Sequence, residues 1–245
     1  MIKLLNENTP FPSLDDGVFS LRQRAFFDAY GAGEKFFSVW VQTDENEKMT
    51  AVISSLSGDV TLALKEEADF EEINGFLKAI GFSSIFLNKK YSDFFPLEKK
   101  QTGKIMKLEK VLSETYYIFP EPDYKAVFNL LFEENEVSFS DWFTDISHRI
   151  RHGSAIADTV VENGKTVACA FCQAKSGCDA LIGSVKTDKN YRNKGFGTLT
   201  VTRLCSYLQK NGFRVYLCRE ENKNKDFYSR IGFIDCGEWA SIKNE

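Results

Sequence analysis

Ala180-Leu181-Ile182-Gly183-Ser184-Val185, followed shortly by Arg192-Asn193-Lys194-Gly195-Phe196-Gly197-Thr198, decides the fold. An apolar, strand-like run leads into a glycine loop, and the loop leads into a helix whose Val201, Leu204, Cys205 and Leu208 recur at i, i+3, i+4 and i+7. Backbone N–H groups and the positive end of the helix dipole can meet an anion closely only where side chains are absent. Gly195 and Gly197 supply that absence, with Arg192 and Lys194 as cations beside them. The loop therefore reads as a phosphate cradle.

The pattern extends outward on both sides. Downstream, Asn211-Gly212 closes the helix, Phe213 to Cys218 reads as a strand, and a last helix from about Asn224 to Ile231 ends at Gly232 before the strand Phe233 to Cys236. Upstream, Ala155 to Glu162 and Lys165 to Ala174 form a hairpin around Asn163-Gly164, a pair that tolerates positive φ. Tyr124 to Glu134 and Phe139 to Arg151 precede it as helices, the second carrying Trp142, Phe143, Ile146 and Ile150. Pro120 and Pro122 mark a linker over Glu114 to Asp123. The boundary divides the chain into 1–115 and 116–245.

The first half repeats the order more faintly. Phe36 to Thr43 and Lys48 to Ser55 make a hairpin, Val60 to Leu64 a strand, Phe70 to Ile80 a helix ending at Gly81, and Phe82 to Leu87 a strand. Its strand-to-helix junction is Lys65-Glu66-Glu67-Ala68-Asp69, which has no glycine and three carboxylates that repel an anion. The first half should bind no pyrophosphate.

Tyr191 to Thr198, together with Phe227-Tyr228-Ser229-Arg230-Ile231-Gly232-Phe233, resembles the GNAT superfamily of acyl-CoA-dependent N-acetyltransferases from Tyr124 onward. The loop fits that family's Arg/Gln-x-x-Gly-x-Gly/Ala motif and the helix end fits Tyr-x-x-x-Gly-Phe. The implied fold is α/β, a mixed, mostly antiparallel sheet flanked by helices, with 1–115 as a degenerate GNAT-like half and 116–245 as the acetyltransferase half. The implied co-substrate is acetyl-CoA, held by Val185, Lys186, Thr187, Arg192, Asn193, Lys194, Gly195, Phe196, Gly197, Thr198 and Asn222. The strand at Val185 is expected to splay from its neighbour so that Val185 and Thr187 pair with the pantetheine arm, and the Val185 N–H faces the acyl oxygen.

The resemblance makes Tyr228 the general acid for the departing thiolate, although a phenol beside Phe227 and Ile231 also reads as a core aromatic. Asn222 lies six residues before that tyrosine and Asn224 four before it, where the family often has seven; either asparagine also suits a helix N-cap. The attacking amine needs a base. The sequence singles none out: Glu220 and Glu221, which follow a strand, are both candidates, and solvation of a charged loop pair is their alternative. His148 and His152 suit base work by their ordinary range, or the C-terminal end of a helix by their charge. Trp142 and Asp145 belong to the helical region that frames the acceptor in this family.

Composition sets the class. At 245 residues with 43% hydrophobic content the chain can bury a sizeable core, and a net charge of −4 argues against a general nucleic-acid binder. No apolar run approaches the roughly eighteen residues of a membrane span, and no signal peptide is read at the start, so a cytoplasmic protein without a membrane partner is expected. Cys169 and Cys172 have metal-ligand spacing, but residues three apart on a strand point to opposite faces, so no metal is expected and buried thiols are the reading. The leading function is transfer of an acetyl group to a primary amine of a small molecule or peptide. A non-catalytic acyl-CoA-binding regulatory module is the alternative. A phosphotransferase is disfavoured because the loop lacks a Gly-Lys-Ser/Thr ending.

Overall fold

The computed structural model describes residues 1–6, 9–12, 14–96, 99–113, 117–132 and 137–244. The elements in chain order are β1 (Ile2–Leu4), α1 (Gly17–Tyr30), β2 (Phe37–Thr43), β3 (Met49–Leu56), β4 (Asp59–Leu64), α2 (Phe70–Ile80), β5 (Ser84–Asn88) and β6 (Lys99–Leu108). They continue as α3 (Tyr124–Leu131), α4 (Phe139–Arg151), β7 (Ile156–Glu162), β8 (Lys165–Ser176), β9 (Asp179–Thr187), α5 (Phe196–Lys210), β10 (Arg214–Glu220), α6 (Lys225–Ile231) and β11 (Phe233–Lys243). The architecture is mixed α/β, as the sequence implies. Glu114, the expected start of the linker, and Glu134, the expected end of the first C-terminal helix, lie outside the described residues.

Two compact units emerge, one from 1–105, 219–224 and 235–245, the other from 106–218 and 225–234. In the first, strands run in the order β1-β2-β3-β4-β5-β11-β6. The pairs β1/β2, β2/β3, β3/β4 and β5/β11 are antiparallel, while β4/β5 is parallel. Ile53, Leu62, Ile73, Leu77, Ile85 and Leu87 are fully buried together between the sheet and α2. Helix α1 and strand β6 have no counterpart in the sequence reading, and β11 runs well past Cys236. The buried positions of α1 include Gln23, which blurs its apolar stripe. Strand β6 opens on the polar Lys99-Lys100-Gln101-Thr102.

In the second unit the order is β10-β9-β8-β7, with β7/β8 and β8/β9 antiparallel and β9/β10 parallel. Asn163 and Gly164 both take positive φ, 52° and 75°, which is what the two-residue turn between β7 and β8 requires. Helices cover both faces. Val201, Leu204, Cys205 and Leu208 of α5 pack with Tyr228 and Ile231 of α6 on Ala170 and Cys172, while Val127 of α3 and Ile146 of α4 pack on Cys169 and Phe171. Each of the three aliphatic side chains of α5 contributes about 1.5–3 kcal/mol of transfer free energy. Cys169 and Cys172 thus sit on opposite faces, and burial pushes both thiols up to about 12. None of the six cysteines forms a disulfide, and Cys178 and Cys236 are exposed. Among the described residues no helix is long and apolar enough to cross a membrane.

Candidate functional site

The glycine loop is built by β9, a 3-10 turn over Lys189–Tyr191 and the start of α5. Asp188 caps the turn by accepting from the Asn190 N–H at 2.8 Å, and Lys165 reaches the same carboxylate at 2.6 Å. Arg192 is extended, Asn193 is left-handed at φ 61°, and Gly195 is left-handed at φ 84° as the N-cap of α5. A glycine cap has no side chain to satisfy the first turn, so the Phe196, Gly197 and Thr198 amides lack intrahelical acceptors and face the loop. At Gly197 a Cβ would lie 2.8 Å from Thr187 Oγ1. One glycine therefore serves conformation and the other serves close packing. Arg192 donates from Nε to the Thr187 carbonyl at 3.4 Å, and Lys194 Nζ lies 4.8 Å from the centre of the Tyr191 ring. Both cations and Asn193 are exposed at the loop mouth.

The strand that feeds this loop has an open edge. Parallel pairing of β10 with β9 runs from Arg214↔Asp179 to Leu217↔Ile182 and stops. On the other side, pairing of β9 with β8 continues to Lys186 and Thr187. Gly183 to Thr187 consequently present one backbone edge that β10 does not use. Val185, half-buried on that edge, packs against the same apolar cluster that contains Tyr228. The structure thus brings Val185, Tyr228 and the glycine loop to one side of the second unit.

Tyr228 is 7% exposed, with its ring 4.9 Å from that of Phe227 and 6.0 Å from that of Phe233. Burial, with a smaller contribution from Cys205, pushes the phenol up to about 12, so it keeps its proton across the physiological range.

Glu220 and Asn222 fall in the 219–224 segment that belongs to the first unit. Glu220 Oε2 is 2.5 Å from Lys223 Nζ and its carbonyl accepts from Arg219, while Asn222 is exposed. His152 ends α4, with its ring centroid 4.3 Å from that of His148. Trp142 is half-buried in an aromatic cluster with Tyr124, Phe128, Phe132 and Phe171, and Asp145 pairs with Arg149. Behind the loop, Asp158 of β7 is fully buried and receives two bonds of 2.9 Å from Arg203 of α5. Burial outweighs that pairing and raises the carboxyl to about 6.

Sequence reasoning passed over Arg149, Gln173 and Ser184, which form a hydrogen-bonded chain leading to the open edge of β9. The available signals were an arginine on the apolar side of α4, four residues after Asp145, and a glycine, Gly183, inside a strand. Among the described residues no group of three or more His, Cys, Asp or Glu side chains is placed to hold a metal ion.

Residues 113–233 match the Acetyltransferase (GNAT) family model. No curated protein matches the chain. Among solved structures, a GNAT-family acetyltransferase from Colwellia psychrerythraea aligns over 100% of both chains at 12% identity and a TM-score of 0.59. A tandem GNAT protein from the clavulanic acid biosynthesis pathway covers 99% of this chain and 98% of its own at 12% identity and 0.63. A GCN5-related N-acetyltransferase from Sphaerobacter thermophilus covers 84% of this chain and 80% of its own at 11% identity and 0.59. These likenesses show the fold.

Proposed function

We propose, from a chain that carries a GNAT acetyltransferase domain over residues 113–233, that it transfers an acetyl group from acetyl-CoA to a primary amine of a small molecule or peptide by direct attack. The observation that carries this reading is the continuity of an unused β9 edge with an uncapped, glycine-lined helix start. The first suits an extended amide-bearing arm and the second suits a pyrophosphate. Gly195 caps α5 with no side chain to take up the first-turn amides, so the cradle fits the group. Acetyl-CoA supplies an activated acyl carbon and a thiolate leaving group.

The chain's own residues would act as follows. Amides of Lys194 to Thr198 hold the pyrophosphate, with Asn193 shaping the turn and Arg192 and Lys194 adding charge. Backbone groups of Val185, Lys186 and Thr187 pair with the arm. The Val185 N–H would stabilise negative charge on the acyl oxygen, and the buried, protonated Tyr228 hydroxyl would give its proton to the leaving sulfur. Glu220 is the proposed base and Asn222 a further cofactor contact. The Lys65 to Asp69 junction of the 1–115 half, without glycine and with three carboxylates, is assigned no cofactor role. The reading as a cytoplasmic protein is supported by six cysteines that form no disulfide.

Calorimetry with CoA and acetyl-CoA, followed by thiol release across a panel of polyamines, aminoglycosides and lysine peptides, tests the proposal. Binding with turnover on at least one amine is expected. Absence of CoA binding would overturn it. The engagement of Glu220 by Lys223 favours the second reading, a regulatory acyl-CoA-binding module, which predicts binding without transfer to any amine.

A further inference from the structure

Strands β8 and β9 pair in one register at both ends and in another between. Ser176↔Asp179, Lys175↔Ala180 and Ala174↔Leu181 set the register, Cys172↔Ile182 and Phe171↔Gly183 depart from it, and Cys169↔Lys186 and Ala168↔Thr187 return to it. Two offsetting bulges explain this. Strand β8 has one extra residue at Gln173, and β9 has one extra residue at Ser184-Val185. A regular ladder that pairs Phe171 with Ser184 and Ala170 with Val185 is therefore available to the same two strands without any change at their ends.

Something must hold the bulged form against that ladder. Among the described residues Ser184 is the only non-glycine residue inside a strand with positive φ, 47°, a conformation that an L-residue with a Cβ adopts only when its surroundings impose it. Gln173 Nε2 donates to Ser184 Oγ at 2.8 Å, so the two extra residues are joined directly. The Cys169 thiol donates to the Ser184 carbonyl at 3.4 Å. Gly183 makes room for this contact, because a Cβ there would collide with the Gln173 side-chain amide. Gln173 is itself anchored, since its carbonyl accepts from Arg149 Nη1. Arg149 is buried and bound through Nε at 2.8 Å and through Nη2 to the Asp145 carboxylate.

We infer that Gln173, anchored by Arg149 and Asp145, is a positioning residue that clips Ser184 in the left-handed conformation and so turns the Val185–Thr187 edge of β9 away from a regular ladder and toward an acyl-CoA arm. The bulge begins one residue past Ile182, where pairing with β10 ends. The splay and the clip are one device. The ligand named here rests on the acyl-CoA reading above, whereas the clip does not.

The test uses the full chain. Gln173→Leu removes the donor and retains the bulk; Ser184→Ala removes the acceptor and stands in if the first variant does not fold. Hydrogen exchange at the Val185 and Lys186 amides is compared with wild type in the ligand-free protein, and CoA affinity is measured by calorimetry. Loss of the clip is expected to change exchange at these two amides by at least about tenfold while α5 and the β7–β8 hairpin exchange as before, and to weaken CoA binding by about tenfold. Ser184→Gly placed in the Gln173→Leu background should restore both, because glycine takes positive φ without a clip; a merely structural loss would not be rescued there. Unchanged exchange at Val185 in the variants, or no rescue by glycine, overturns the inference. If wild type binds no CoA, the acyl-CoA reading fails and the exchange arm alone still decides the clip.

Discussion

The two units contain the same parallel-strand splay, and in one of them it is already occupied. In the second unit, pairing of β9 with β10 ends at Ile182 and the remaining edge leads to an uncapped helix. In the first, pairing of β4 with β5 ends at Thr61↔Phe86, yet helix α1 lies in the opening. Gln23 Nε2 donates to the Val52 and Thr61 carbonyls, both at 2.8 Å, and the Leu64 N–H donates to Asp16 at 3.1 Å. Phe19 packs on Phe86 with ring centres 5.0 Å apart. The helix start is closed as well. Asp69 accepts from the Glu72 N–H at 2.9 Å, and its own N–H is taken by Gln42. A carboxylate of the protein caps α2, whereas α5 begins on a glycine with no side-chain cap. The first unit therefore differs from the second by more than missing glycines: its strand edge and helix amides have internal partners.

The largest expected effect breaks that difference at the loop. Gly195→Val forces a β-branched residue into φ near 84°, and CoA affinity should fall by about 100-fold or more. Substituting Glu66 and Glu67 by glycine in the first unit should leave affinity unchanged, because Asp69 still caps α2. Calorimetry should give one CoA per chain. A stoichiometry of two, or retained affinity in Gly195→Val, would contradict the comparison. Next in size is Tyr228→Phe, which should lower kcat by about 10²-fold, the lower end of general-acid effects, with CoA affinity within about threefold of wild type. Since burial holds the phenol near 12, the wild-type rate should show no alkaline limb from this residue below about pH 10. A kcat unchanged in the phenylalanine variant would return Tyr228 to the role of a core aromatic.

What was legible in the sequence is what neighbouring residues determine. Asn163-Gly164, Gly81 and Gly212 announce their turns because positive φ is a local demand, and α5 announces its face because four apolar residues line one stripe. The glycine loop is legible for the same reason. Helix α1 was not, because Gln23, buried to satisfy carbonyls far along the chain, reads as a polar interruption. Nor was the bulge at Ser184, where a serine in a strand betrays nothing until Gln173 from another strand holds it. The splay itself followed only from the family resemblance. Elements set by long-range hydrogen bonds leave little trace in periodicity.

Filling the first unit's splay should matter for stability and not for ligand binding. Gln23→Leu deprives two buried carbonyls of their donor and should cost about 2–4 kcal/mol in chemical denaturation, with CoA affinity as in wild type. A stable variant would mean that α1 covers the opening without satisfying it. A variant with two CoA sites would mean that the plug alone had silenced the first unit.

The smallest effect separates how the two units fix the helix after the junction. Unit one uses neutral bonds from Gln42 and a cap from Asp69, whereas unit two uses the buried Asp158–Arg203 pair. The Asp158 carboxyl is near 6 in the folded chain and near 3.8 when unfolded. Between those values the folded state holds the extra proton, so this group's contribution to stability rises as pH falls through 6 and is lost as pH rises above it. From pH 7 to pH 5 the gain is about 1 kcal/mol, or a rise in Tm of about 2–4 °C. Asp158→Asn removes the titration while leaving Arg203 an acceptor, so the difference between the two Tm profiles isolates it from Asp93, Asp188 and Glu238, whose carboxyls are lowered by lysine partners and titrate further into acid. Parallel profiles from pH 5 to 7 would show that Arg203 keeps the carboxylate charged and that burial does not prevail. The helix carrying the glycine loop would then be held as independently of pH as its counterpart α2.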